Sequence, residues 1–275
     1  MCLTRGSVLT DGTTVGFRTH RPEEEELARL RARLAALNDE LADRELELAT
    51  RRRELLDFQR RYLAIVGTRF AKLDRLVAEI ASLEAARAPS PEAEWQAQAS
   101  AERARESAEA LGDDPDALRQ AAEQPKLAIP EDLKKLYRKV AKAVHPDYAS
   151  DDDDRALRER AMADANAAYA AGDVERLRAI LEDWENSPGA VSGDGAGADL
   201  VRVIRAIAAV EARLAALVGE IASCGEDSLG ELYEDAAAAE AEGRDLLGEL
   251  ADGVDARIAA ARLRLRELSG DRPDD

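Results

Sequence analysis

From residue 22 onward, apolar side chains recur at alternating intervals of three and four. Leu27, Leu30, Leu34, Leu37 and Leu41 open a seam that continues through Arg44, Leu48, Arg51, Leu55, Phe58, Tyr62 and Ile65. The pattern then slips by one residue and resumes at Val66, Phe70, Leu73, Val77 and Ile80. Such a heptad predicts a coiled-coil helix over 22–88 with one discontinuity near Gly67. Unbroken, residues 23–86 would reach about 96 Å, whereas a break near Gly67 would fold that length back on itself. Arg44 and Arg51 are polar positions in an otherwise apolar seam. Pro22 and Glu23–Glu26 place negative charge where a helix begins. Pro89-Ser90-Pro91 ends the helix.

Heptads return at the other end of the chain. Val203, Ile207, Val210, Leu214, Leu217 and Ile221 alternate without error up to a stop at Cys224-Gly225. Ser228 to Glu231 reads as a capping box. A second seam then runs through Leu232, Ala236, Ala239, Gly243, Leu246, Leu250, Val254, Ile258, Ala261, Leu265 and Leu268. Because the connecting turn is short, the expectation is an antiparallel coiled-coil hairpin over 199–269. Residues 187–198, rich in Gly and Ser, read as a flexible linker. Residues 89–129 read as a linker with short helices: 92–111 is too polar and Ala-rich for more than a weak helix, and Asp114-Pro115 suits a short helix start. Residues 1–21 read as a tail, with a short strand at Thr14–Phe17.

The segment 130–186 has a different pattern. Leu133, Leu136, Tyr137, Val140 and Val144 fall within roughly 100° of a helical wheel. Lys134, Lys135, Arg138, Lys139 and Lys142 fall within about 140° on the opposite side. One helix thus has an apolar face for a core and a cationic face for a partner. This matters because the whole chain of 275 residues carries a net charge of −18. His145-Pro146-Asp147 follows directly. Pro146 cannot continue the helix and holds His145 extended, so the tripeptide should form an exposed turn with the His145 ring presented rather than buried. On that reading His145→Gln changes stability by no more than about 0.5 kcal/mol.

This segment resembles helix II and the following loop of a DnaJ-type J-domain. Leu133, Tyr137, Val140 and Val144 match the family's core positions, and Lys134, Lys135, Arg138 and Lys139 its cationic face. His145, Pro146 and Asp147 match its signature tripeptide. Downstream, Arg155–Ala171 resembles helix III, with Met162, Ala165 and Ala168 facing helix II. Asn166-Ala-Ala168-Tyr169 is similar to the family's Asn-x-Ala-Tyr. Gly172 should stop that helix, Asp173 should cap the next, Trp184 should pack on the unit, and Asp154 should cap the helix after the acidic run Asp151–Asp154. The segment departs from the family where helix I belongs, since no Tyr-x-x-Leu-Gly pattern precedes Pro130. Residues 115–124 or part of 92–111 are the candidates for its place. Tyr148 also stands where a Lys is common.

The resemblance implies a co-chaperone that binds and stimulates a DnaK-type chaperone ATPase, with no catalysis of its own. The cationic helix and the tripeptide would act as the docking surface, and the coiled coils would serve client binding or assembly, including self-association. The alternative is a structural or adaptor coiled-coil protein with a non-stimulatory J-like domain. Composition bounds the rest. Aromatics are 4% and charged residues 35%, the profile of an all-α protein built on long helices. The acidic balance argues against nucleic acid as a partner. No apolar run spans a membrane and no signal-peptide core begins the chain, so the expectation is a cytoplasmic protein. Cys2 and Cys224 form no ligand spacing, and neither a metal site nor a cofactor motif is present. Asp151–Asp154 lacks the spacing of a calcium loop.

Overall fold

The computed structural model describes residues 22–112, 118, 120, 128–149, 151–185 and 196–270. The expected strand at Thr14–Phe17 and most of the expected helix over 115–124 lie outside them. Every element among the described residues is helical, and the fold is all-α. In chain order these are α1 (Pro22–Tyr62), a single π-turn (Leu63–Gly67), α2 (Thr68–Arg87), α3 (Pro91–Glu109), α4 (Glu131–Val144), α5 (Asp152–Ala171), α6 (Val174–Glu185), α7 (Ala196–Ser223), α8 (Ser228–Ala241) and α9 (Leu246–Ser269).

The discontinuity near Gly67 is real, but it does not fold the helix back. Gly67 keeps right-handed helical torsions (φ −58°, ψ −44°), and the chain passes from α1 to α2 through the π-turn. A π-turn accommodates one extra residue, which is the size of the slip in the apolar pattern. Phe58 and Val66 on one side and Leu73 on the other are therefore all buried. Thr68 Oγ1 donates to the Ala64 carbonyl at 2.8 Å, taking up an acceptor in the widened turn.

The C-terminal helices do not form the expected antiparallel hairpin. Instead, α7 lies along α1 and α9 along α2, both parallel to them. Arg31 meets Asp199 and Arg52 meets Glu220, and Arg69 meets Asp255 while Arg264 meets Glu84. Leu41 and Leu48 pack with Val210 and Leu217, and Leu73 packs with Val254 and Ile258. α8 bridges the two pairings, with Tyr233 edge-on to Phe58 (centroids 5.4 Å apart). The reason is that α1 and α2 offer a longer continuous apolar seam than α7 and α9 offer each other. A heptad states that a seam needs a partner and leaves the partner open. The second seam also shifts by one after Gly243 (φ +78°), where the helix is interrupted and Asp245 caps α9. Leu247 and Ala251 are buried in place of Leu246 and Leu250.

Two further expectations are corrected. Asp227, not Ser228, caps α8, accepting from Gly230 N at 2.8 Å. The segment 92–111 is not a weak helix: α3 runs for 19 residues, capped by Ser90, and lies against α2. Its inward positions Ala93, Ala97, Ser100, Ala104 and Ser107 keep heptad spacing with small residues, so close approach replaces large apolar contact. Ser107 hydrogen-bonds Asp74 of α2. α3 therefore does not stand in for the missing helix against α4.

The π-turn makes a definite prediction. Deleting Ile65 converts the pattern to an uninterrupted heptad and keeps both halves of the seam on one face. It should cost only the partial burial of that side chain, about 1–2 kcal/mol. Deleting Lys72 instead rotates the rest of α2 off its seam and should cost considerably more. Denaturant unfolding of the two deletion variants checks the difference.

Candidate functional site

α4 buries the face predicted for it. Leu133, Tyr137, Val140, Ala141 and Val144 are buried, and they meet Met162, Ala165, Ala168 and Tyr169 of α5 and Leu177 and Ile180 of α6. The two helices run antiparallel. Tyr137 is fully buried and its hydroxyl donates to Asn166 Oδ1 at 2.5 Å, and its ring meets that of Tyr169 at 4.7 Å. Burial pushes the Tyr137 phenol far up, so it remains a neutral donor. Gly172 ends α5 in the left-handed region (φ +75°), and Asp173 accepts from Arg176 N at 2.9 Å, both as expected. The cap of α5 is Asp151, which accepts from Asp154 N; Asp154 itself pairs with Arg158 at 3.0 Å.

The third wall of this unit is α1. Leu46 and Ala49 pack on the core, Thr50 Oγ1 bonds the Tyr169 hydroxyl at 2.8 Å, and Arg53 donates to the Tyr169 carbonyl at 2.6 Å.

Between α4 and α5 the chain makes one 3-10 turn, Pro146–Tyr148. Pro146 does end the helix as its chemistry requires, with His145 at φ −59°, ψ 134°. The expectation that the His145 ring is presented outward is overturned: His145 is 2% exposed. Its Nδ1 accepts from Asp147 N at 3.2 Å, and its Nε2 lies 3.2 Å from Glu45 Oε1 on α1. The two contacts together assign the proton to Nε2, which donates to the carboxylate. Glu45 is itself buried and receives Arg213 of α7 through Nε at 2.9 Å and Nη2 at 2.8 Å. Burial works to raise the Glu45 carboxyl. The hydrogen bond from His145 and the charge of Arg213 outweigh it and hold the group below the ordinary carboxylate range.

The cationic face divides. Lys134 pairs with Glu131 at 2.9 Å and Lys135 lies 3.9 Å from Asp132, both within α4. Lys139 is exposed. Arg138, by contrast, reaches Asp43 of α1 at 2.5 Å, and Lys142 reaches Asp39. Tyr148 packs against the cluster of Leu41, Leu48, Val210 and Leu217 where α1 meets α7. The site expected to face a partner is therefore engaged within the chain, by residues the sequence reading did not single out: Asp39, Asp43, Glu45 and Arg213. A faint signal existed, since Glu45 and Arg213 are opposite charges flanking two buried seams. Arg158 was also missed. It donates to the Ala143 carbonyl at 3.1 Å and sits 4.7 Å over the Trp184 ring, so one side chain both caps α4 and anchors Trp184.

Among the described residues no group of His, Cys, Asp or Glu is placed to hold a metal ion, and no helix is long and apolar enough to cross a membrane. Comparison with models of known families, with curated proteins and with solved structures finds no match.

Because Glu45 is depressed in the fold, its contribution to stability is fully present above the ordinary carboxylate range. It is lost as pH falls through the lower folded value. The chain should thus lose stability on acidification below about pH 4 more steeply than Glu45→Gln does. Urea midpoints measured for both across that range check this.

Proposed function

We propose that α4, α5 and α6 form a J-domain-like module that docks on a DnaK-type chaperone ATPase and favours its ATP hydrolysis, the chain performing no chemistry itself. The observation that carries the reading is the antiparallel α4/α5 pair with His145-Pro146-Asp147 at its connection and cations along the outer side of α4. Lys134, Lys135 and Lys139 supply long-range attraction to an acidic surface, which raises the rate of encounter. The tripeptide then acts by binding the partner's hydrolysis-competent state in preference to the other, which is how a non-catalytic protein shifts an equilibrium. The paired helices along α1 and α2 would provide the assembly or client-binding part, in the same soluble compartment as the chaperone.

A second reading is favoured by one observation. His145 is spent on Glu45, which suits an adaptor whose J-like unit no longer stimulates anything and serves to brace α1 against α7.

Steady-state ATPase measurements with a DnaK-type chaperone and a molar excess of the whole chain separate the two. Stimulation by the wild-type chain that is abolished in His145→Gln and in Asp147→Asn, with helicity retained, is the expected result. His145→Gln should also lower stability by about 1–3 kcal/mol, since it breaks a contact to a buried carboxylate rather than a surface one. No stimulation by the wild-type chain, or by any variant that exposes His145, gives the adaptor reading.

A further inference from the structure

Four contacts converge on the turn and on the last two turns of α4. Asp43 holds Arg138, Asp39 holds Lys142, Glu45 holds His145, and Tyr148 packs against the cluster of Leu41, Leu48, Val210 and Leu217. Asp39, Asp43 and Glu45 all lie on one helix, α1, within two turns. They present carboxylates to the cations and the imidazole that would otherwise meet an acidic partner. The contact is also imperfect. Asp147 Oδ2, the Tyr148 hydroxyl and Asn38 Oδ1 are buried there without a hydrogen-bond partner among the described residues. Asp147 Oδ2 lies 3.7 Å from His145 Nδ1, a near contact only. Each orphaned polar atom would gain a water or a partner on opening, which disfavours the closed state. The pairs Arg138–Asp43 and Lys142–Asp39 are about half exposed and so are open to screening by salt. The buried core of the unit, by contrast, comes from α4, α5 and α6, with Leu46 and Ala49 of α1 packed on it, and includes none of the residues of these four contacts.

From this geometry we infer that Asp39, Asp43 and Glu45 of α1 form an intramolecular clasp that occupies the docking surface of α4 and withholds His145-Pro146-Asp147 until it opens. This regulation rests on the J-domain-like reading of the same surface. A partner must supply carboxylates to Arg138 and Lys142 in exchange for those of Asp43 and Asp39, so it is an acidic protein surface. The closed and open states differ in who neutralises the cations, not in whether they are neutralised.

The test uses the full chain and acylation of its histidines by diethylpyrocarbonate, followed peptide by peptide at neutral pH. The chain has two histidines, His20 and His145, which are separated by peptide, and free Nα-acetylhistidine in the same tube serves as the reference. His145 should react far more slowly than the free reference in the wild-type chain. Asp39→Lys with Asp43→Lys replaces two attractions by repulsions, and His145 should then react about five- to tenfold faster, with helicity unchanged. Adding Arg138→Asp and Lys142→Asp to that variant reverses each pair and should restore protection, which simple unfolding would not. Fast reaction of His145 in the wild-type chain, or no gain in the Asp39/Asp43 variant, overturns the clasp. The ATPase arm reads the function separately. Greater stimulation by the Asp39/Asp43 variant than by wild type supports regulation, and equal, measurable stimulation by the two overturns it. If neither stimulates while His145 becomes reactive, the clasp stands as a contact and the co-chaperone reading falls.

Discussion

A single buried carboxylate ties the two halves of this structure together. Glu45 lies at the point where α1, α7 and the turn after α4 meet, and its Oε1 serves His145 and Arg213 at once. Removing a carboxylate from water costs several kcal/mol, roughly, and the cost is met only when its partners are fixed in place. Arg213 is fixed because Val210, Leu214 and Leu217 hold α7 on α1. His145 is fixed because Asp147 N orients its ring and Arg158 closes the end of α4. The charge therefore does not create the interface. It selects one register for α1 against two neighbours, since any axial shift leaves Glu45 buried and unpaired.

α1 has a second role beside its seam. Arg51 donates to the Cys224 carbonyl at the end of α7, and Arg53 donates to the Tyr169 carbonyl at the end of α5. Helix C-termini leave carbonyls without partners and carry partial negative charge, so an arginine from a neighbouring helix satisfies both. Arg51 stands in a heptad position where leucine is expected, and its polar head explains why that position is not apolar. Arg44, in the equivalent earlier position, turns out to an exposed pair with Glu47. The same irregularity in the pattern thus has two different outcomes, set by what lies opposite.

The parts of the fold legible from sequence are those decided by local periodicity. The apolar stripe Leu133–Val144, the stop at Gly172 and the one-residue slip before Val66 each depend on neighbours within a turn or two, and each is found in place. The parts that were not legible depend on distant residues. Nothing near His145 announces burial, because the group that buries it is 100 residues away on α1. Nothing in the heptads of α7 and α9 distinguishes α1 and α2 as partners from each other. α3 was underrated because the period was carried by Ala and Ser, which a search for large apolar side chains passes over. The candidate site was therefore found by its residue types, and its environment was not.

That environment changes what the tripeptide is for in the closed molecule. A turn histidine that merely awaited a partner would be solvated and would need no tautomer. Here the backbone N–H of Asp147 occupies Nδ1, so Nε2 faces α1 as a donor, and a carboxylate stands where that donor points. The pairing of a donor on or after α4 with a carboxylate of α1 recurs at Lys142 and Arg138, each of which meets an Asp of α1. An acidic helix packed antiparallel on a basic one neutralises it at short range. Of the remaining cations, Lys134 pairs with Glu131 and lines the cleft against α1 with Asp43, Glu47 and Glu54, whereas Lys135 and Lys139 are exposed on the outer side. The surface is thus divided between cations whose ion pairs lie within α4 and cations held by carboxylates of α1, and only the second group has to part from another helix for docking to occur. Exchange of like for like requires little net electrostatic energy. What it must overcome is the apolar seat of Tyr148 and the shared pairing at Glu45, and those two contacts set how firmly the closed form is held.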